Sequence, residues 1–255
     1  FFYDGDIAQG VAFNGLLNDG SKFAHRLLDS LDNESEEPQL GHIATDGETY
    51  GHHHKHGEMA LAYCLDYIGH HEKSRLTNYA EFLANFPPTY EAQIHESSSW
   101  SCVHDVERWR ADCGCNSGKP NCHQKWRKPL RESLDWLRDE LAKIYEKEAS
   151  AILTDPWKAR EDYINVILNR NEDTIKAFLK RHCKVDVEQN RVFRLMEVQR
   201  NAMLMYTSCG WFFDDFGRIE PKNCLAYAAQ AVLLVEQATG VDLAPPFRAI
   251  LSHVT

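Results

Sequence analysis

The chain has 255 residues, of which 43% are hydrophobic and 26% are charged, as is typical of a folded globular protein. Its 28 basic residues against 38 acidic ones give a formal net charge of −10, which offers no electrostatic footprint to the phosphates of a nucleic acid. No apolar stretch approaches the roughly 18 to 20 residues that a membrane helix needs. We therefore expect neither nucleic acid nor membrane as a partner.

The first residues and the cysteine content bear on processing and location. The chain begins Phe1-Phe2-Tyr3, without an initiator methionine or a charged segment before an apolar core, so we expect a piece of a longer polypeptide with no secretory leader. Eight cysteines are too few for a domain held together by disulfides. Reduced thiols and a cytoplasmic location are the expectation.

The first hundred residues predict an α/β arrangement. Two short apolar segments with strand character, 1–3 and 40–45, flank a helical pattern over 7–31, which is the order of a β-α-β unit. A Pro87-Pro88 pair is expected to close a later helical segment. Between the second apolar segment and the proline pair, after Gly57, apolar residues recur at the spacing of one buried helix face: Leu61, Cys64, Leu65 and Ile68.

The rest of the chain predicts a long ordered loop, to about Lys125, followed by helices. Three apolar stripes are expected to be helix cores, and Gly240 is expected to cap the last of these helices. The stripes are Leu130, Leu134, Leu137, Leu141 and Ile144; Val192, Leu195, Met196, Gln199, Met203 and Tyr206; and Leu225, Ala228, Ala229, Val232 and Val235.

These patterns together predict an α/β fold that passes into a mainly α one. We expect the last strands of a (β/α)-barrel-like sheet, then a helical bundle, with helix predominating overall. The predicted divisions are an α/β catalytic region at 1–98, a Cys-rich loop at 99–128 and the helical bundle at 129–255.

The densest cluster of reactive side chains directly follows the second apolar segment, at Thr45-Asp46-Gly47-Glu48-Thr49-Tyr50-Gly51-His52-His53-His54-Lys55-His56. Active sites of parallel α/β folds lie at the carboxyl ends of strands. If strand geometry continues, Asp46 and Glu48 lie on one side about 7 Å apart, and their repulsion raises one pKa, as a general acid requires. A turn with a helix-capping acid is the alternative. His52 and His54 are candidates for a metal site with Asp46, or for hydrogen bonds to sugar hydroxyls.

The run from Asp46 to His54 resembles the fourth signature region of family 57 glycoside hydrolases, in which Asp-x-Glu, an aromatic residue and Gly-His follow the last barrel strand. Other segments resemble an uncharacterised family-57-related domain of unknown function, so that the resemblance covers nearly the whole chain. These segments are Ser99-Trp100-Ser101-Cys102, Glu107-Arg108-Trp109, Asp112-Cys113-Gly114-Cys115, Trp126-Arg127-Lys128-Pro129-Leu130-Arg131 and Ser208-Cys209-Gly210-Trp211-Phe212-Phe213-Asp214-Asp215.

This resemblance implies that Asp46 is the general acid/base of a retaining glycoside hydrolase or glucanotransferase that acts on an α-glucan-like oligo- or polysaccharide, without a required cofactor. It implies that Glu48 and His52 orient Asp46 or bind the sugar, and it places Trp211 and Asp214 or Asp215 near a sugar subsite. The imidazole of His54, in the same histidine run, is a further candidate for binding the sugar. The family's nucleophilic glutamate belongs to an earlier strand, so we expect the upstream part of the same polypeptide to complete the site. We expect the 255-residue chain to be inactive alone. Glu48 cannot replace that glutamate, because it would approach the sugar from the same face as Asp46.

A second hypothesis comes from four cysteines that fall within 21 residues: Cys102, Cys113, Cys115 and Cys122. With His104 and His123 interleaved, they suffice for a tetrahedral Zn²⁺ site, although buried free thiols and disulfides remain alternatives. Trp100, in the same loop, is a candidate for stacking on a sugar or for packing in the core. The alternative function is therefore a non-catalytic carbohydrate-binding or scaffold domain with a structural Cys/His zinc site.

Overall fold

The computed structural model describes residues 1–99, 101–116, 118–184 and 187–254. The chain divides into two compact units, Phe1–Ile94 and His95–Thr255. The helices of the first unit are α1 Gly5–Ala12, α2 Gly20–Leu28, α3 Gly57–Gly69 and α4 Tyr79–Asn85. Those of the second unit are α5 Arg127–Ile152, α6 Pro156–Asp162, α7 Ile164–Leu168, α8 Glu172–His182, α9 Gln189–Leu204, α10 Ile219–Thr239 and α11 Ala244–Leu251.

The helical pattern predicted over 7–31 forms two helices instead of one. Gly15 adopts a left-handed backbone conformation (φ 72°) between α1 and α2, which glycine reaches without steric cost. The Asp19 carboxylate then accepts hydrogen bonds from the backbone N–H groups of Ser21 and Lys22, at 2.9 and 3.1 Å, and so starts α2. An aspartate directly before a glycine marks the start of both helices, since Asp4 caps α1 in the same way.

The two predicted strands are wrong. Across the described residues no strand is formed, and 1–3 and 40–45 are irregular segments. A backbone hydrogen bond runs to the second segment from the residue just after the first, from Asp4 N to His42 O at 3.0 Å. Phe2 remains 78% exposed, so the apolar residues of the first segment are not buried against a neighbouring strand. Short apolar runs do not reveal a pairing partner, and here none forms. The β-α-β unit and the barrel-like sheet are therefore absent from the described structure, whereas the mostly helical character is confirmed.

Gly20 occupies the close approach of α2 to α3. A Cβ atom at this position would lie 2.9 Å from Tyr63 Cβ and 3.0 Å from the Ala60 carbonyl oxygen. We expect Gly20→Ala to lower the free energy of unfolding by about 1–3 kcal/mol, because backbone and a rigid Cβ must move to admit the methyl group. Denaturant unfolding measures this loss. The matched control is Gly5→Ala, also at the first position of a helix but with no atom within 4 Å, and a loss of equal size there would contradict this packing.

The second unit is built on α5, α9 and α10, whose predicted apolar stripes form much of its core. Leucines 130, 134, 137 and 141 of α5 are fully buried, and the stripes on α9 and α10 are largely buried, with Met203 and Ala229 as exposed exceptions. Gly240 ends α10 in the left-handed conformation (φ 77°), as predicted. None of the described helices has the length and apolarity needed to cross a membrane.

Two irregular stretches position the candidate site in the second unit. The first precedes α5 and contains only one short 3₁₀ turn, Glu107–Trp109, in its described part. The second joins α9 to α10 and includes the 3₁₀ turn Ser208–Trp211. Trp109 connects them, because its indole Nε1–H donates to the Ser208 carbonyl oxygen at 3.1 Å.

Candidate functional site

The loop before α5 gathers four potential metal ligands: Cys102, His104, Cys113 and Cys115. Their ligand atoms all lie within 4.8 Å of one another. Cys102 Sγ is 3.9 Å from Cys113 Sγ and 4.0 Å from Cys115 Sγ. His104 Nδ1 is 3.3 Å from Cys115 Sγ and 3.8 Å from Cys102 Sγ. Thiolates held about 2.3 Å from a tetrahedral ion are about 3.8 Å apart, so these separations fit a metal of that kind.

Local backbone geometry explains why these side chains converge. The ligands come in two pairs, each with a single residue between its members. Gly114 has a φ of 81°, which turns the chain between Cys113 and Cys115, and its N–H donates to Asp112 Oδ1 at 3.1 Å. Asp105, just after the other pair, is also left-handed, with a φ of 56°. The two tight turns direct both pairs of ligands to one point.

The electrostatics of the thiols favour a bound cation. Burial raises the pKa of Cys102, but hydrogen bonds with His104, Arg108 and Cys113 outweigh it and bring the pKa to about 6. The pKa of Cys115 is raised by burial and by the negative charge of the neighbouring Cys102 and Cys113 thiols. Thiols this close therefore resist joint ionisation unless a positive ion neutralises them.

Two buried polar side chains contact Cys113, one from the first residue of α5 and the other from just before that helix. The Arg127 guanidinium donates to Cys113 Sγ at 3.5 Å and to the Phe213 carbonyl oxygen at 3.3 Å. Burial lowers the pKa of Arg127, and the charge of Cys113 opposes that shift. Gln124 accepts from the Cys113 thiol at 3.4 Å and donates to Asp214 Oδ1 at 2.9 Å. These contacts join the loop that carries the four potential ligands, which we call the cysteine loop, to the segment between α9 and α10.

A cavity of about 420 Å³ adjoins this cluster and is partly lined by Cys115. Phe212 and Phe213 supply its aromatic surface, and Asp214 and Asp215 supply carboxylates. Arg108 completes one wall, where its guanidinium donates to the carbonyl oxygens of Phe212 and Ser101 at 3.1 and 3.0 Å. Aromatic faces beside planar charged groups can bind a polar ligand that also has an apolar face.

The residues predicted around Asp46 lie on the surface of the first unit. Asp46 precedes the 3₁₀ turn Gly47–Thr49, so the strand geometry expected to align it with Glu48 is absent. Asp46, Glu48 and His52 are exposed. His54 is half-buried, and its Nε2–H donates to the Ala12 carbonyl oxygen at 2.8 Å. That bond gives His54 a structural partner.

The other predicted sugar-binding residues belong to the second unit. Asp214 is buried and Asp215 exposed, and both line the cavity. Trp211 is only 1% exposed and packs in the core with residues of α5 and α10. Trp100 lies outside the described residues.

The sequence identified three of the four grouped ligands and assigned the fourth position to Cys122. In the structure His104 completes the group, and Cys122 instead lines the neighbouring cavity. The sequence patterns assigned neither Arg127 nor Gln124 a role at this site. One available signal was the position of Arg127, because a basic residue at a helix N-terminus opposes the helix dipole and needs a compensating partner.

Fold and site together define a helical protein with a Cys/His group close enough to bind a metal ion. Residues 122–255, more than half of the chain, match the model of the family described as domain of unknown function (DUF3536). The chain belongs to that family. The matched residues run from Cys122 to the end of the chain and include all helices from α5 to α11. Comparisons with curated proteins and with solved structures gave no match.

Proposed function

We propose that the chain contains a structural zinc site formed by Cys102, His104, Cys113 and Cys115. The observation that carries the proposal is the approach of four ligand atoms to within 4.8 Å of one another, at separations suited to tetrahedral coordination. Four protein ligands fill the coordination sphere and leave no open position for water or substrate, which is typical of a structural site.

The chemistry of the ligands favours zinc over other ions. Thiolates are soft ligands that select zinc or iron–sulfur clusters, and three thiolates with one imidazole are a common zinc set. The loop that carries them has little regular hydrogen-bonded structure in its described part, so coordination would replace the missing backbone pairing. Such a site is compatible with the reducing cytoplasm that we expect for this chain.

Elemental analysis tests the zinc proposal. We expect close to one zinc per chain in the wild-type protein, and a loss of about 90% or more of it in Cys113→Ser, because a serine hydroxyl is a poor ligand for this ion. Cys122→Ser is the matched control, since Cys122 lies in the same segment but outside the group, and it should retain its zinc. Wild-type protein that neither contains zinc nor takes it up when zinc is added would overturn the proposal.

A carbohydrate-binding role is proposed for the cavity beside this site. Support comes from Phe212 and Phe213 next to Asp214, Asp215 and Arg108, since sugars are held by aromatic faces and by planar polar groups. The resemblance to family 57 assigns the same segment to a sugar subsite. An oligo- or polysaccharide of the α-glucan type is the proposed ligand.

The second candidate function is that of a retaining glycoside hydrolase or glucanotransferase with Asp46 as acid/base. It rests on the signature-like run from Asp46 to His54. It is also supported by the exposure of Asp46, whose side chain makes no capping hydrogen bond to the turn that follows it, so its carboxyl group remains accessible. The nucleophile would come from the upstream part of the same polypeptide, as the resemblance to family 57 implies.

Asp46→Asn tests this second function in a polypeptide that carries both this chain and the strand bearing the nucleophile. We expect α-glucan cleavage or transfer to fall by about 100-fold or more, because an amide cannot shuttle the proton. The free energy of unfolding should change by less than about 0.5 kcal/mol at such an exposed position. Asp66→Asn, at another exposed aspartate of the first unit, should retain activity. Full activity in Asp46→Asn would exclude Asp46 as the acid/base.

A further inference from the structure

Arg127 is a completely buried cation at an unfavourable place. It is the first residue of α5 and has 0% of its surface exposed. The N-terminus of a helix carries a partial positive charge, so the helix dipole disfavours a guanidinium there, and burial adds the cost of removing it from water. A cation held in this way requires negative charge close by.

The surroundings of Arg127 show where that charge lies. One guanidinium nitrogen donates to Cys113 Sγ and another to the Phe213 carbonyl oxygen, while Nε makes no hydrogen bond. The Asp214 carboxylate also attracts the guanidinium. A neutral thiol is a weak acceptor for an N–H donor, whereas a metal-bound thiolate is an anion and accepts a charge-assisted bond.

The charge of the proposed metal complex matches that of Arg127. Three thiolates around a divalent ion, with a neutral imidazole as the fourth ligand, leave one negative charge in excess. Arg108 also faces this complex, at Cys102, but it lies at the cavity wall with its guanidinium bonded to the carbonyl oxygens of Ser101 and Phe212. Arg127 is the buried cation that contacts a ligand sulfur directly.

We propose that Arg127 is a positioning residue of the metal centre, which orients Cys113 through its contact with the sulfur and offsets the excess negative charge of the complex from inside the protein. This inference rests on the proposed zinc site. It explains why a buried arginine is tolerated at the start of α5. It also means that the metal, through Cys113 and Arg127, fixes the cysteine loop to the first turn of that helix.

Zinc affinity, measured by competition with a chromogenic chelator, tests this role in the complete chain. We expect Arg127→Gln to bind zinc about 10 to 100-fold more weakly than the wild type, as is typical when the partner of a metal ligand is lost. Arg127→Lys, which keeps the charge, should recover part of that loss. Lys128→Met is the matched control: it removes the adjacent, exposed positive charge and should bind zinc as the wild type does.

Cobalt substitution separates a positioning role from general damage to the fold. At saturating Co²⁺, Arg127→Gln should show the same thiolate-to-metal charge-transfer bands as the wild type, because its ligands are unchanged, but at a higher Co²⁺ concentration. Equal affinities for Arg127→Gln and Arg127→Lys would overturn the charge argument, even if one of them is less stable. Absence of metal binding in the wild type would instead overturn the zinc site itself, so the two failures are distinguishable.

Discussion

Removal of the metal by a chelator is expected to lower the free energy of unfolding of the second unit by about 4 kcal/mol, if zinc had been present at about 1,000 times its dissociation constant. Zinc at the proposed site would bind the assembled loop, so that its binding free energy would contribute directly to the stability of the folded state. Thermal unfolding followed by circular dichroism, with and without chelator, measures the effect.

Cys113→Ser provides the control for this experiment. The variant lacks one of the four ligands, so chelator should leave its unfolding temperature unchanged. Restoring zinc to stripped wild-type protein should restore the original unfolding temperature. If the wild type unfolds at the same temperature with and without chelator, the metal does not stabilise this fold.

Trp211→Ala is expected to lower the free energy of unfolding by about 3–5 kcal/mol, the usual cost of removing a large aromatic side chain from a core. Trp211 is buried among residues of α5 and α10, and its Nε1–H makes no hydrogen bond, so packing accounts for its contribution. Phe212→Ala, at the next residue, which is 40% exposed, should cost much less. Denaturant unfolding distinguishes the two.

The same variants bear on the sugar-binding role that the resemblance to family 57 implies for Trp211. If the indole acts through packing, Trp211→Phe should fold and should bind a maltooligosaccharide at the proposed site as the wild type does, whereas Phe212→Ala should bind it more weakly. Weakened sugar binding in Trp211→Phe, with unchanged stability, would show that the indole contributes to ligand binding after all.

Helix periodicity predicted the second unit well because packing there follows from local sequence. Leucines at 130, 134, 137 and 141 fall on one face of α5, and all four are buried. The end of α10 at Gly240 was predicted equally well, because a helix often ends at a residue in the left-handed conformation, which favours glycine. Each of these features is determined within a few turns of one helix.

The strands were mispredicted because a sheet depends on partners that are distant along the chain. Residues 1–3 and 40–45 have the composition of strands, yet they form no ladder, and the hydrogen bond beside them comes from the backbone of Asp4. The helical pattern over 7–31 also hid a break, although Gly15 and Asp19 were both visible as its signals.

The candidate metal site was predictable in kind but not in detail. Cysteine content and spacing indicated the loop, but the choice of His104 over Cys122 depends on left-handed turns at Asp105 and Gly114. Aspartate adopts the left-handed conformation more often than most non-glycine residues do, but only at a small fraction of positions, so the sequence alone did not predict the turn at Asp105. Arg127 and Gln124 contact Cys113 across 14 and 11 residues of the chain, and these contacts could not be predicted from local sequence patterns.

All four grouped ligands come from residues 102–115, a span of 14 residues. Bringing the ends of so short a segment together costs little chain entropy, and it requires none of the long-range packing of α9 and α10. A nascent chain would therefore possess a complete set of ligands before the 140 residues that follow Cys115 in this sequence had emerged from the ribosome. Capture of the ion at that stage would give the later helices a preformed edge on which to assemble.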